Sequence, residues 1–318
     1  MPSYSGIWTL QAQYQAIGLN NWNVPAAIGL FNIGYDGVTV TVNTITQITI
    51  ATLGNSTAFG QLTAAKKGSG ACASTVRGLF AGGVPDNSGA VLNTIDYVTI
   101  ATAGNATNFG NLNTARGFLK GCNSSTRGVF GGGSTNGAYT GSSNVIDYVT
   151  IATTGNATSF GILTASTNNI SSCSSPTRGI WAGGVNAAAS DVNTIVYVTI
   201  TTTGNATSFG NLISAAYNLS ACSNNTIGVI TQNRGVSNAL EYITIASTGN
   251  AASFGQLTYT TTDPCGCGSF TRGIVAGGST STINYFNITT TGNASVFGTL
   301  SVASTNGAGL SSSNGGVQ

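Results

Sequence analysis

The residues of this chain best suited to chemistry are its six cysteines, a set of regularly placed arginines and a few carboxylates among strand-forming residues. Cys72, Cys122, Cys173, Cys222 and Cys267 recur at one place in a repeating pattern, and Leu310 fills the sixth place. A thiolate can bind a soft metal or act as a nucleophile. The chain has no histidine and no Cys-x-x-Cys pair, and Cys265-Gly-Cys267 is too closely spaced to close comfortably into a disulfide. A leucine at the sixth place marks the position as a small, buried, apolar one. Equivalent cysteines on neighbouring units should stand further apart than the about 7 Å between Cα atoms that a disulfide allows. Unbridged thiols are therefore expected, and no metal.

Arg77, Arg127, Arg178 and Arg272 repeat as well, each before a glycine. One strand position, before a tyrosine in five units, carries Asp96, Asp147, Val196, Glu241 and Asn284. Units two and three thus hold both an arginine and an aspartate. The expectation is structural pairing of arginine to carboxylate or to backbone carbonyl; an anion or sugar-acid site is the alternative. No nucleophile–base pair is evident. Without histidine, a serine or cysteine would need a lysine or carboxylate base, and the chain has three lysines. No pair of carboxylates suits glycoside hydrolysis. The glycine-rich stretches close strands and open no helix, so they are not phosphate loops. No catalytic, metal or cofactor-binding residue is expected, and the reading is of a protein that is not an enzyme.

The elements that position these residues follow from one segment that recurs six times. Its clearest copy is Asn-Val-Ile-Asp-Tyr-Val-Thr-Ile-Ala-Thr-Thr-Gly-Asn-Ala-Thr-Ser-Phe-Gly at 144–161. Its turn glycines are Gly54, Gly104, Gly155, Gly204, Gly249 and Gly292. By subtraction they lie 50, 51, 49, 45 and 43 residues apart, a period typical of solenoids and propellers. In the third unit, residues 120–125 read as strand A, 127–131 as B, 146–152 as C and 158–163 as D. Short turns between strands require antiparallel pairing. The Gly-Asn turn between C and D suits residues that tolerate positive φ. A four-stranded sheet cannot bury both faces alone, but sheets packed radially can, and that is a β-propeller. The fold expected is all-β, a closed six-bladed propeller over residues 24–318. Residues 28–34 align with strand B, so the first unit begins without strand A. Residues 310–318 align with a surplus strand A. The C-terminal strand should complete the first blade and remove an edge.

Composition bounds the partners. Charged residues are 5% of the chain, where about 25% is usual. The net charge is +2 from 9 basic and 7 acidic residues. Nine scattered cations form no basic stripe, so no nucleic acid is expected. No apolar run approaches the length of a membrane span, and the opening residues lack the pattern of a signal peptide. Asn-x-Thr triplets such as Asn105-Ala-Thr107 sit in the repeated turn, which accounts for them without glycosylation. Residues 1–23 form an arm outside the repeat, with Trp8 and Tyr14 in an alternating pattern. The arm is expected either to dock a partner or to pack on its own propeller. The loops between strands B and C vary most between units, being long in units two to four and short in the last two. Variable loops on a fixed scaffold are where binding has most freedom. Asn136 and Tyr139, in the longest loop (134–143), are the binding candidates beside Trp8 and Tyr14. The surface they define reads as uncharged.

Two resemblances sharpen this. A double glycine ends strand B (Gly82-Gly83, Gly132-Gly133, Gly183-Gly184, Gly277-Gly278), a tyrosine follows in strand C (Tyr97, Tyr148, Tyr197, Tyr242, Tyr285), and a large aromatic sits in strand D. This pattern resembles Kelch repeats, with Phe59, Phe109, Phe160, Phe209, Phe254 and Phe297 in place of the family's usual tryptophan. The string Ile-Asp-Tyr-Val-Thr-Ile-Ala-Thr-x-Gly-Asn-Ala-Thr-x-Phe-Gly is also similar to repeats in phage-encoded proteins, notably of marine phages. The opening Ser-Gly-Ile-Trp-Thr-Leu looks like the start of virion-associated proteins of that group. The resemblance implies a non-enzymatic component of a bacteriophage virion, of the tail, neck or fibre type, that takes part in assembly or host attachment. Its expected partners are other virion proteins met through the N-terminal arm, a further copy of the chain, or a host-surface glycan. A free carbohydrate-binding propeller is the alternative.

Overall fold

Six antiparallel sheets stand around a common axis in a computed structural model that describes residues 26–37, 40–86, 89–232 and 237–313. The arm 1–23, with Trp8 and Tyr14, lies outside the described residues. Each blade has strands A to D in meander order. Blade 2 has Gly70–Ala73, Arg77–Ala81, Thr94–Thr99 and Thr107–Asn111. Blade 3 has Lys120–Asn123, Arg127–Gly131, Ser143–Thr150 and a longer strand D, Thr158–Asn168. Blades 4, 5 and 6 begin with strand A at Ser171–Ser174, Ala221–Ser223 and Pro264–Gly268. The A strands neighbour one another in cyclic order, which places them innermost and closes the ring.

Closure is by the C-terminal strand. Ala308–Ser311 pairs antiparallel with Ile28–Asn32, with Leu30 opposite Leu310. It supplies strand A to a blade whose strands B, C and D are Ile28–Asn32, Thr44–Thr49 and Thr57–Gln61. Both ends of the propeller are thus held in one sheet, and strand B of that blade is covered by its strand A.

The core lies between the blades. Among the described residues there are six hydrophobic clusters, each drawing on two adjacent blades. The cluster between blades 3 and 4, for example, joins Val129, Ile146, Phe160 and Leu163 to Trp181, Val198 and Ile200. The strand D phenylalanines Phe59, Phe109, Phe160, Phe209, Phe254 and Phe297 are all buried. The strand C tyrosines meet them edge to face: Tyr148 and Phe160 have centroids 5.9 Å apart at 78°. The double glycines that end strand B have positive φ at both members, as at Gly132 (67°) and Gly133 (99°), a conformation closed to most side chains.

The Gly-Asn turn has a different cause from positive φ. None of its asparagines has a positive φ, and neither do Gly104, Gly155, Gly204, Gly249 and Gly292. The turn instead lies along the outer edge strand of the preceding blade. Gly155 N donates to Phe109 O (2.8 Å), Ala157 N donates to Asn111 O (2.8 Å), and Asn111 N donates to Asn156 Oδ1 (3.0 Å). The same asparagine contact recurs from Asn55, Asn105, Asn205, Asn250 and Asn293. The glycine after each phenylalanine allows this approach, since a Cβ on Gly110 would collide with Gly155 O. Each blade thereby covers the edge of its neighbour, and the Phe-Gly and Gly-Asn motifs are two halves of one contact.

Candidate functional site

The repeated arginines bond carbonyls, and they do so on the next blade. Arg127 stacks over Tyr148 of its own blade, 4.5 Å from the ring centroid, and donates to Ile200 O of blade 4 at 2.9 Å. Arg178 donates to Ile245 O (3.0 Å). Arg77 donates to Ile151 O and Ala152 O, and Arg272 to Ile50 O and Ala51 O. Each guanidinium is thus fixed by one ring and by the neighbouring turn.

The aspartates have other partners. Asp96 pairs with Lys66 at 3.0 Å and Asp147 with Arg116 at 2.6 Å, and all four side chains are fully buried. Arg116 also donates to Val145 O (2.7 Å), and Lys66 to Phe80 O (3.1 Å). Thr63 and Asn113 satisfy the second carboxylate oxygens. Burial pushes the Lys66 ammonium down from its usual range, and Asp96 opposes that shift. Sequence reasoning offered the repeated arginines a carboxylate or a backbone carbonyl; they take the carbonyls, and the cations that pair with the aspartates, Lys66 and Arg116, were missed. Repeat comparison holds the missing signal. Position for position, the D-to-A connections carry Lys66, Arg116, Thr167, Ala216, Thr261 and Ser304. The strand C positions equivalent to Asp96 and Asp147 carry Val196, Glu241, Asn284 and Thr46. Cation and acid appear together in two blades and both vanish in three; Glu241 alone keeps an acid, where it accepts from Ile213 N at 3.0 Å.

The cysteines are all free thiols, and all are buried. They sit on the innermost strands, but their sulfurs point between blades. Burial pushes Cys173 and Cys222 up to about 12, which keeps them protonated and poor as nucleophiles.

Strand direction puts the B–C loops and the D-to-A connections at the same end of the ring. There the loops of blades 2, 3 and 4 form a continuous ridge. Gly89 and Gly137 bring the first two into contact, since a Cβ on Gly137 would sit 3.0 Å from Gly89 O. Ser142 Oγ donates to Val185 O (3.3 Å), and Thr167 and Asn168 pair with Asn186 and Val185. Blade 6 has only Gly278-Ser279 at this place. Within the blade 3 loop, Asn136 shapes the chain. Its Oδ1 accepts from Ala138 N (3.0 Å) and from Ser134 Oγ (2.9 Å), and its Nδ2 donates to Thr140 Oγ1 (3.3 Å). Tyr139 opens the single turn of 3-10 helix at the tip, Tyr139–Gly141. The ridge is not wholly neutral, because exposed Asp86 and Asp191 stand on its flanks.

At the same end, six equivalent residues in the left-handed conformation ring the axis: Gly68, Phe118, Asn169, Asn218, Asp263 and Asn306. Their backbones link blade to blade. Gly68 N donates to Asn306 O (2.7 Å), Phe118 N to Gly68 O (2.6 Å), Asn169 N to Phe118 O (3.1 Å), and Asn218 N to Asn169 O (2.9 Å). The ring frames the mouth of the axial channel.

These features define the class: a six-bladed β-propeller with four-stranded blades, built from a single repeat. No protein-family model matches the chain, and no curated protein matches it significantly.

Proposed function

We propose that the chain is a non-enzymatic structural propeller of a bacteriophage virion, a component of the tail, neck or fibre type that meets its partner through the ridge over blades 2–4. The observation that carries the choice of surface is the contrast between three interlocked long loops and the two-residue turn of blade 6 at the same end of the same ring. Nothing in the repeat requires that asymmetry, and variable loops on a rigid ring are where recognition has freedom. The particle assignment rests on the similarity of the repeat string and opening segment to phage proteins. A structural role agrees with how the reactive groups are used: the repeated arginines hold neighbouring blades, the acid–base pairs are sealed in the interior, and the thiols are buried.

Replacing residues 134–143 with the short turn of blade 6 tests the reading. The protein is expected to fold, while particle assembly or adsorption is impaired. Lost assembly assigns the ridge to another virion protein, and lost adsorption with intact particles assigns it to a host glycan. Normal particles that adsorb normally would move the contact to the arm with Trp8 and Tyr14.

A further inference from the structure

The axial channel consists of connected cavities. The outermost lies within the left-handed ring, among Phe118, Asn169, Asn218, Asp263 and Asn306. The next is walled by the small inward-facing residues Ala71, Gly121, Ser172, Ala221, Gly266 and Gly309. Lys120 lines both. A third cavity shares the small residues and reaches the layer of Asn123, Ser174 and Ser223. There these side chains accept hydrogen bonds from the neighbouring strands, as Asn123 Oδ1 does from Ala73 N.

Lys120 is out of keeping with its position. The equivalent residues of the other blades are Gly70, Ser171, Ser220, Cys265 and Ala308, so the repeat asks for no charge there. The other repeat-borne cations all have partners: Lys66 and Arg116 pair with aspartates, and the strand B arginines with carbonyls and rings. The Lys120 ammonium has neither a hydrogen bond nor an ion pair among the described residues. Four other titratable groups bear on this place. Asp263 at the mouth acts on Lys120 from beyond ion-pair distance. Lys67 in turn acts on Asp263, and Asp86 on Lys67. Cys265 is a neutral thiol, pushed up to about 12 by burial. Ser69, 0% exposed and with a hydroxyl that has no hydrogen-bond partner among the described residues, borders the same cavity. Desolvation in the channel pulls the Lys120 ammonium down from its usual range and Asp263 opposes that shift only from a distance, so the charged form gains from an anion that reaches it directly. An unused donor hydroxyl bordering the same cavity favours the anion.

We propose that the axial channel is a binding site for a small monovalent anion of halide to acetate size, held by the Lys120 ammonium in the cavity that Ser69 borders and entering past Asp263. The neutral walls of glycine, alanine and serine leave room for a small ion but supply no charge for a multivalent one. Burial raises the Asp263 carboxyl to about 7 against the pull of Lys120 and Lys67. Below that pH it is neutral and does not oppose an anion; above it, its charge does. Occupancy is therefore greater at pH 6 than at pH 8.5.

Sodium bromide is a suitable probe. Melting of the full chain is followed against bromide at constant ionic strength, with gluconate as the bulky replacement, and crystals soaked in bromide are examined at the bromine absorption edge. The expected results are a saturable rise in melting temperature, several-fold larger at pH 6 than at pH 8.5 and absent from Lys120→Met, and an anomalous peak in hydrogen-bonding range of Lys120 Nζ. An unchanged bromide response in Lys120→Met overturns the proposal. So does a map whose bromide peaks lie only on the outer surface, which are adventitious ions only. If Lys120→Met does not fold, the wild-type map decides alone.

Discussion

The sulfur of Cys72 on blade 2 occupies the space that a side chain on Gly128 of blade 3 would need: a Cβ there would stand 2.5 Å from Sγ. The same contact repeats as Cys122 on Gly179, Cys173 on Gly228, Cys222 on Gly273 and Cys267 on Gly29, and Leu310 meets Gly78 to complete the circle. Six innermost strands thus interlock by one small knob against one bare backbone. Gly128→Ala is expected to destabilise by about 1–3 kcal/mol, the usual cost of overpacking a close contact. Adding Cys72→Ala should recover part of that loss, a non-additivity that urea denaturation of the single and double variants measures. In the native protein at pH 8 the six thiols should resist a thiol reagent, and all six should react in urea.

Removing residues 308–318 takes away the strand opposite Gly29–Asn32, the Leu310 contact with Gly78 and the Ser311 hydrogen bond to Gly268 O. A fall in melting temperature of at least about 10 °C is expected, at roughly 2–4 °C per kcal/mol for a large domain. Removing only 314–318 should have little effect. A long truncation that melts like the full chain would mean the ring closes without its C-terminal strand.

The Arg116–Asp147 pair should behave as buried charges do. Arg116→Met leaves the carboxylate enclosed without a counter-charge and is expected to cost about 3–5 kcal/mol. Arg116→Met with Asp147→Leu should regain most of it, as blade 4 manages with Thr167 and Val196 at the same places. Chemical denaturation of both variants reads the difference. A double variant as unstable as the single one would show that packing, and not the orphaned charge, carries the loss.

The Asp263 carboxyl gives the fold a pH dependence of definite sign. Its affinity for the proton rises from the ordinary 3.8 to about 7 on folding, chiefly through burial. Between those values the folded state binds more protons than the unfolded one, so stability falls as pH rises through that window. Asp263→Asn keeps a residue that tolerates the φ of 56° and cannot titrate. Denaturation between pH 4.5 and 7.5 should show a shallower decline in Asp263→Asn than in wild type, with Glu241, also raised by burial, accounting for part of what remains.

Much of the architecture was legible because a propeller blade is a local object. The order of strands A to D follows from residues within one 50-residue unit. The number of blades is a count of Gly-Asn and Phe-Gly pairs, and the closure follows from one unit that lacks strand A and one that has a strand too many. The repeated cysteines could be read as structural from Leu310 alone, since a position that accepts leucine does not demand a thiol.

What the sequence by itself determined is therefore the repeat, its strands and the ring they close. The tertiary structure alone decided which groups meet across blades. Arg127 reaches a carbonyl 73 residues away, Asn55 caps a strand 244 residues away, and Lys66 finds Asp96 across 30 residues of intervening blade. Such pairs are set by the angle between neighbouring sheets and the rise of the connections, which no local pattern encodes. For the same reason Lys120, one polar residue among many in the linear chain, becomes a channel-lining cation only when six inner strands surround an axis and leave it no acid within ion-pair distance.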